Sequence, residues 1–299
     1  MHVLTPRVEH VGSHTALLGE SAIWDRRDGA LLWVDIVGRR VLRTKLESGQ
    51  TEAWAFPEMT GFVQPASDGT WLVGQHDHIL KFDPASGERR LFAQLEPAVT
   101  GNRTNDAACD PQGRLWLGTM PLPETGISPV GKLYRIEGDG SVAVIERGLT
   151  IPNGIAFSPD GLTIYWADTR VTPHQVWKAR YDPETGTPGE KEIFVHLPEG
   201  GGRPDGATVD AAGCYWVAAV RGSQLLRYAP DGRLDLKVKV PVSRPSKIAF
   251  GGPDLKTIFV TSISDGLAPE ERAREPLTGA LLALEIGIQG LPAVEFAAL

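Results

Sequence analysis

The sequence predicts an all-β fold: a six-bladed β-propeller of four-stranded blades, its ring closed by an N-terminal strand. Three observations predict it. A pattern of polar start, short apolar strand, tight turn and aromatic-bearing strand recurs six times, most clearly in NDAACDPQGRLWLGTM from Asn105 to Met120. Its turn glycines are Gly29, Gly69, Gly113, Gly161 and Gly213, with Leu255 in the sixth copy, at spacings of 40, 44, 48, 52 and 42 residues. Each copy is followed by a second hairpin signal, so every unit holds four strands. A period of this length marks a repeat architecture, and four strands per period make propeller blades.

Taken in order, the stretch Arg7 to Val11 is short, β-compatible and precedes the first copy. It is expected to supply the outer strand of the last blade, since a ring not tied shut leaves an exposed edge. The six first halves follow as Gly19 to Ile36, Phe62 to Gln75, Asn105 to Met120, Asn153 to Asp168, Asp205 to Val220 and Ser246 to Ser262. The second halves run from RVLRTKLESGQTEAWAF in the first unit to GALLALEIGIQGLPAVEFA in the last, with apolar and polar residues alternating around SG, DG, TG or QG. That is the signature of two half-buried strands and a short turn. Helix is expected only at Leu267 to Leu277, inside a long loop of the sixth unit. Units of roughly 45–50 residues account for the chain, which reads as one domain over residues 1–299.

The second strands carry Trp33, Trp71, Trp116, Trp166, Trp216 and Phe259 at equivalent places. Large flat side chains bury much area, so this series reads as packing between blades and calls for no cofactor.

Apolar residues make up 41% and charged residues 22% of the chain, the balance of a folded protein with a sizeable core. The net charge is −7 and the basic residues are scattered, which leaves no electrostatic footprint for nucleic acid. The opening MHVLTPRVEH lacks the charged and apolar regions of a signal peptide, and no run of about 18 apolar residues occurs, so a cytoplasmic protein with no membrane partner is expected. Cys109 and Cys214 fall at different places in their repeats and read as reduced core residues. No glycine-rich phosphate loop precedes a helix and no Gly-x-Ser-x-Gly elbow is present, so nucleotide and serine-esterase chemistry lose their main support. His76 and His78 alternate on QHDHILKF and read as residues of the pocket wall, shared with Arg170, Arg221 and Asp265, rather than as a metal pair.

The repeats also place polar residues. Counting back five residues from Asp25, Ser67, Asp110, Ser158, Asp210 and Gly251, which open the turns, gives Glu20, Phe62, Asn105, Asn153, Asp205 and Ser246. First strands of a propeller line its channel, so these positions form one ring at one end. Two carboxylates converging there repel one another unless a cation or strong donor lies between them. Carboxylate and carboxamide oxygens are hard ligands, suited to Ca²⁺, Mg²⁺ or Mn²⁺, and carboxylates also bind Zn²⁺ and Fe²⁺. Phe62 would sit in the same ring without a coordinating atom.

The motifs LGESAIW around Glu20, NRTNDAACDPQGRLWLGTM from Asn102, PNGIAFSPDG around Asn153, PDGATVDAAGCYWVA around Asp205 and FGGPDLKTIFVTS from Phe250 cover nearly the whole chain in this order. In that register the sequence resembles the regucalcin (senescence marker protein)/gluconolactonase family of six-bladed propellers. The resemblance implies that Glu20, Asn153 and Asp205 bind one divalent metal, Ca²⁺ foremost, and that Arg103 and Asn105 hold the substrate. It also implies a sugar contact from a Glu soon after the GTM tripeptide, a place that Glu124 offers in a loop reshaped by two prolines. The reaction it implies is metal-dependent hydrolysis of an aldono-lactone to its aldonic acid, with Asp205 doubling as general base. The partner is then a small sugar lactone, and a closed propeller needs no second copy, so a monomer is expected. Two other readings keep the same site: a phosphotriester hydrolase, and a calcium-binding propeller without catalysis. Arg103 and Asn105 beside the ring favour an enzyme, because a calcium buffer needs only the ligands.

Overall fold

The structure is a computed structural model that describes residues 2–97, 101–123 and 126–299. Among them, six sheets surround a central axis, and the strand that opens each repeat is innermost. The inner strands are Gly19–Asp25, Phe62–Pro65, Asn102–Cys109, Pro152–Phe157, Arg203–Val209 and Pro245–Gly251. Each packs against the inner strand of the next blade and the sixth packs against the first, so the ring is closed. Second strands such as Ala30–Asp35 and Tyr215–Val220 are buried at every residue, which is why they read as continuous apolar runs. The outer Thr51–Ala55 keeps a partly exposed pattern instead.

The aromatic series lies where the repeats put it. Trp33, Trp71, Trp116, Trp166, Trp216 and Phe259 are all buried, and they pack with aromatics of other strands, as in the Trp24–Phe259 stack and the edge-on Trp216–Phe250 pair. The turn glycines share a left-handed backbone, and Leu255 adopts it too, with φ of 57°. A non-glycine residue there costs roughly 1–2 kcal/mol; burial of the Leu255 side chain against Trp24 and its neighbours offsets this.

The N-terminal strand closes the ring as expected. Val8–Thr15 pairs antiparallel with Ala280–Glu285 and forms the outer edge of the sixth blade. A further strand, His2–Leu4, adds in parallel to Leu234–Lys239 and covers the edge of the fifth blade; three residues are too few to show a period. The second hairpin expected in the last unit does not form. Only Ala280–Glu285 is a strand, because Val8–Thr15 already occupies the place of its partner. The chain beyond it instead crosses the bottom of the ring as a strap. Gly290 N–H donates to Leu255 O at 2.8 Å, Gln64 Nε2 donates to Val294 O at 2.9 Å, and Ala297 N–H donates to Gly113 O at 2.9 Å. Phe296, fully buried among Phe62, Leu117 and Tyr134, anchors it. The expected helix is present but shorter, Pro269–Arg274. Cys109 and Cys214 are free and buried. Among the described residues no helix is long and apolar enough to cross a membrane.

Phe296→Ala should cost about 3–5 kcal/mol of stability by leaving a cavity under the strap. Urea unfolding measures it, and a loss below about 1 kcal/mol would show that the strap adds nothing to the core.

Candidate active site

An ideal strand presents alternate residues to each face, so one inner strand offers the channel one side chain per level. Here five of the six inner strands break that rule. Their register shifts between Glu20 and Ile23, Thr104 and Ala107, Asn153 and Ala156, Pro204 and Ala207, and Pro245 and Ile248. Such bulges insert a residue and re-aim its neighbours. Two levels of side chains result. The upper level carries Glu20, Asn105, Asn153 and Asp205, all buried. The second inner strand pairs in continuous register with Trp71–Gly74, and its Phe62 is not a channel residue. The Phe62 ring packs into the core beside Leu72 and Cys109 and fills the space over Gly74, where a Cβ would come within 2.2 Å of it. Ser246 also leaves the ring, donating its hydroxyl to Gly19 O at 2.5 Å across the seam between last and first blades.

The upper level is ordered by one chain of hydrogen bonds whose direction is fixed at both ends. Arg103 can only donate, and its Nη1 reaches Asn105 Oδ1 at 2.9 Å and Thr104 O at 2.8 Å. At the other end, Thr169 spends its only hydroxyl proton on Pro204 O at 2.7 Å, so it must accept from Asn153 Nδ2 at 2.8 Å. That turns Asn153 Oδ1 toward Asn105, whose Nδ2 donates to it at 2.9 Å and to Pro152 O at 3.0 Å. Both carboxamides are therefore held in one orientation, and the chain ties the third, fourth and fifth blades together.

Glu20 and Asp205 stand apart from that chain. Glu20 accepts Ser21 N–H at 2.8 Å. Among the described residues no Lys, Arg or His forms an ion pair with either carboxylate. Burial, followed by repulsion from Asp106, pushes Glu20 up to about 7. Burial and then repulsion from Glu20 and Asp106 raise Asp205 well above the carboxylate range. Arg103 is pulled down to about 10 by burial, against the pull of both carboxylates, and keeps its charge at neutral pH. Two buried carboxylates that Arg103 and Lys247 attract without a direct ion pair, together with an Asn oxygen of fixed orientation, form a hard-oxygen donor set that fits a divalent cation. Among the described residues no cluster of three or more His, Cys, Asp or Glu forms a metal site, so the carboxamide would be needed to complete this one.

One level down lies a feature that the repeat count missed. Lys247, on the sixth blade, reaches across the axis to the opposite third blade, its Nζ 2.5 Å from Asp106 Oδ1. Both side chains are buried, and the other Asp106 oxygen accepts Ile155 N–H at 3.0 Å. A Cβ on Gly206 would come within 2.2 Å of Lys247 Cδ, so the glycine makes room for the lysine stem. Counting back four residues from the turns instead of five gives Ser21, Val63, Asp106, Gly154, Gly206 and Lys247. The acid and the base were legible in that shifted count, but strict alternation would have sent both to the outer face. Below this level is a cavity of about 410 Å³ lined largely by apolar groups such as Trp24, Ile155 and Phe250, with Leu291 to Val294 of the strap as its floor.

Other predicted wall residues divide. His76 and His78 are not joined on a common ligand: His78 Nδ1 lies 2.8 Å from Asp77, and His76 faces Glu58. Arg170 and Arg221 do gather at the rim, where their charges bear on Arg203, two residues before Asp205 as Arg103 is before Asn105. Glu124 lies outside the described residues.

Known proteins resemble this chain over nearly its whole length. The sequence pattern of the SMP-30/Gluconolactonase/LRE-like region matches residues 18–264. A 6-deoxy-6-sulfogluconolactonase of Pseudomonas putida is 33% identical over 92% of this chain and 93% of its own. A pentonolactonase of Haloferax volcanii is 35% identical, covering 95% and 96%. Among solved structures, the calcium-binding protein regucalcin of Agrobacterium tumefaciens superposes with a TM-score of 0.93 at 31% identity, covering 99% of each chain. The chain belongs to the SMP-30/gluconolactonase/LRE-like family.

Proposed function

We propose that this protein hydrolyses a sugar lactone to the corresponding aldonic acid, with a divalent cation, Ca²⁺ first, on Glu20, Asn153 and Asp205. The observation that carries the reading is the pair of buried carboxylates that form no ion pair among the described residues, beside an arginine–carboxamide chain of fixed direction. Relatives named as lactonases at 33% and 35% identity support the reaction class. Bound to these oxygens, a cation would supply Lewis acidity toward the lactone carbonyl and the charge that keeps both carboxylates ionised.

The protein's own groups do the rest. Asp205, at the channel mouth, accepts the proton of the attacking water as general base. Arg103 presents donors still free of Asn105 and Thr104 to the substrate's oxygens, and Asn105, locked between Arg103 and Asn153, positions it. Glu124 is assigned a sugar contact in the same reading. Locked donors spend no reorganisation during reaction, which is where such sites gain most. The phosphotriesterase reading keeps the same cation and base, whereas the calcium-binding one leaves Arg103 without a task. The protein is read as one domain, cytoplasmic and monomeric.

The deciding experiment follows acid release from a panel of aldono-lactones by chelator-stripped protein, with Ca²⁺, Mg²⁺, Mn²⁺, Zn²⁺ or Fe²⁺ returned singly. The panel includes lactones with an anionic terminal group, because Arg170, Arg203 and Arg221 share the rim. Metal-restored hydrolysis is expected; cation binding without turnover on any lactone would move the assignment to the other two readings.

Asp205→Ala should cut turnover at least about 100-fold and weaken cation binding, with an unchanged circular dichroism spectrum. Near-normal activity in that variant would remove the general base.

A pH dependence follows from Glu20. Its pKa in the metal-free fold is about 7 against the ordinary 4.5, so between those values the folded state holds a proton that the unfolded chain has lost. This group therefore costs stability as pH rises through that window, by about 3 kcal/mol in all. The stability advantage of Glu20→Gln over the natural chain should grow by that amount from pH 4.5 to 7 in chelator. A constant difference in denaturation free energy would contradict it. Cation affinity should run the other way and rise toward pH 7, because protons and the cation compete for the same oxygens.

A further inference from the structure

The level beneath the proposed cation site holds one acid and one base, Asp106 and Lys247, facing each other from opposite blades. Four small or apolar residues, Ser21, Val63, Gly154 and Gly206, complete it. Asp106 is the third carboxylate near the axis, close enough to act on both Glu20 and Asp205. Three such groups around one axis would draw in divalent charge, since oxygen-rich sites take hard cations in proportion to ligand charge. The geometry around Lys247 answers this from within the chain. Its backbone N–H donates to Thr261 Oγ1 at 3.2 Å, its stem passes over Gly206, and its ammonium ends on Asp106.

We propose that the Lys247 ammonium is a resident cation of the channel: it neutralises Asp106, cancels the negative charge that this carboxylate adds beneath Glu20 and Asp205, and so limits the channel to one divalent ion of moderate affinity. Lys247 is a positioning residue here, acting on the cation site through Asp106. The inference rests on the cation site proposed above.

Charge gives its test two opposite signs. Lys247→Met keeps the stem and removes the charge, leaving three carboxylates; divalent binding should tighten at least tenfold or gain a second ion. Asp106→Asn keeps an acceptor for Ile155 N–H but leaves the ammonium unopposed; binding should weaken at least tenfold. The double variant restores neutrality and should return to one ion within about threefold of the natural affinity. A purely structural bridge predicts no such reversal of sign.

Isothermal titration of chelator-stripped full-length protein with Ca²⁺ and with Mn²⁺, alongside circular dichroism, reads all four proteins. Natural affinity and stoichiometry in a folded Lys247→Met or Asp106→Asn variant would overturn the proposal. Should Lys247→Met fail to fold, Asp106→Asn and the double variant still decide it. If the natural chain binds no divalent ion, the metal-dependent reading fails, and the lysine inference then stands only if Lys247→Met alone creates a site.

Discussion

The bulge in the inner strands is the constraint on which the rest of this channel depends. A strand in perfect register would turn Asn105 inward and Asp106 outward. Because the register slips at this point, both reach the interior, and the same slip in the sixth blade brings Lys247 inward while Ser246 before it turns to the seam. One level can then be spent on oxygen donors and the next on the charge that sits beneath them. The second blade, without the slip, sends Phe62 into the core and contributes no donor.

Charge placed this deep has to be balanced locally. A buried ion pair gains little over an apolar pair of the same shape, yet removing one partner is costly because the other charge remains. The Asp106–Lys247 bridge is therefore a poor device for stability and a good one for fixing charge at a chosen place. It also separates two environments: carboxylates above that form no ion pair among the described residues, and below them a cavity lined largely by apolar residues, those of the strap among them.

Much of the fold was legible because a repeat pattern reports on backbone geometry that sterics dictate: left-handed turns at Gly29, Gly69 and Gly113, and a buried aromatic on each second strand. The same counting found Glu20, Asn105, Asn153 and Asp205, and Arg103 came from the family resemblance. It failed where a local departure overrode the period. Phe62 was misplaced because a missing bulge leaves no mark in a five-residue count. Asp106 and Lys247 were passed over because alternation assigns neighbours to opposite faces. The last unit read as a hairpin since alternating apolar residues lie equally well along a strap as along a strand. His2–Leu4 was silent for want of length.

The seam of the ring shows why closure belongs to the site as well as to the fold. Glu20 lies on the first inner strand, directly after Gly19, whose carbonyl accepts the Ser246 hydroxyl of the sixth blade. On the other side Ser21, in a left-handed conformation, exchanges hydrogen bonds with Val63 of the second blade. Glu20 is thus set between two inter-blade contacts, one of which exists only while the last blade is tied to the first. That tie is the pairing of Val8–Thr15 with Ala280–Glu285 at the outer edge of the sixth blade. Asn153 and Asp205 receive their placement from within consecutive blades, through Thr169 and Pro204. Of the three proposed ligands, Glu20 alone depends on the two ends of the chain having met, so the donor set is complete only in the closed ring.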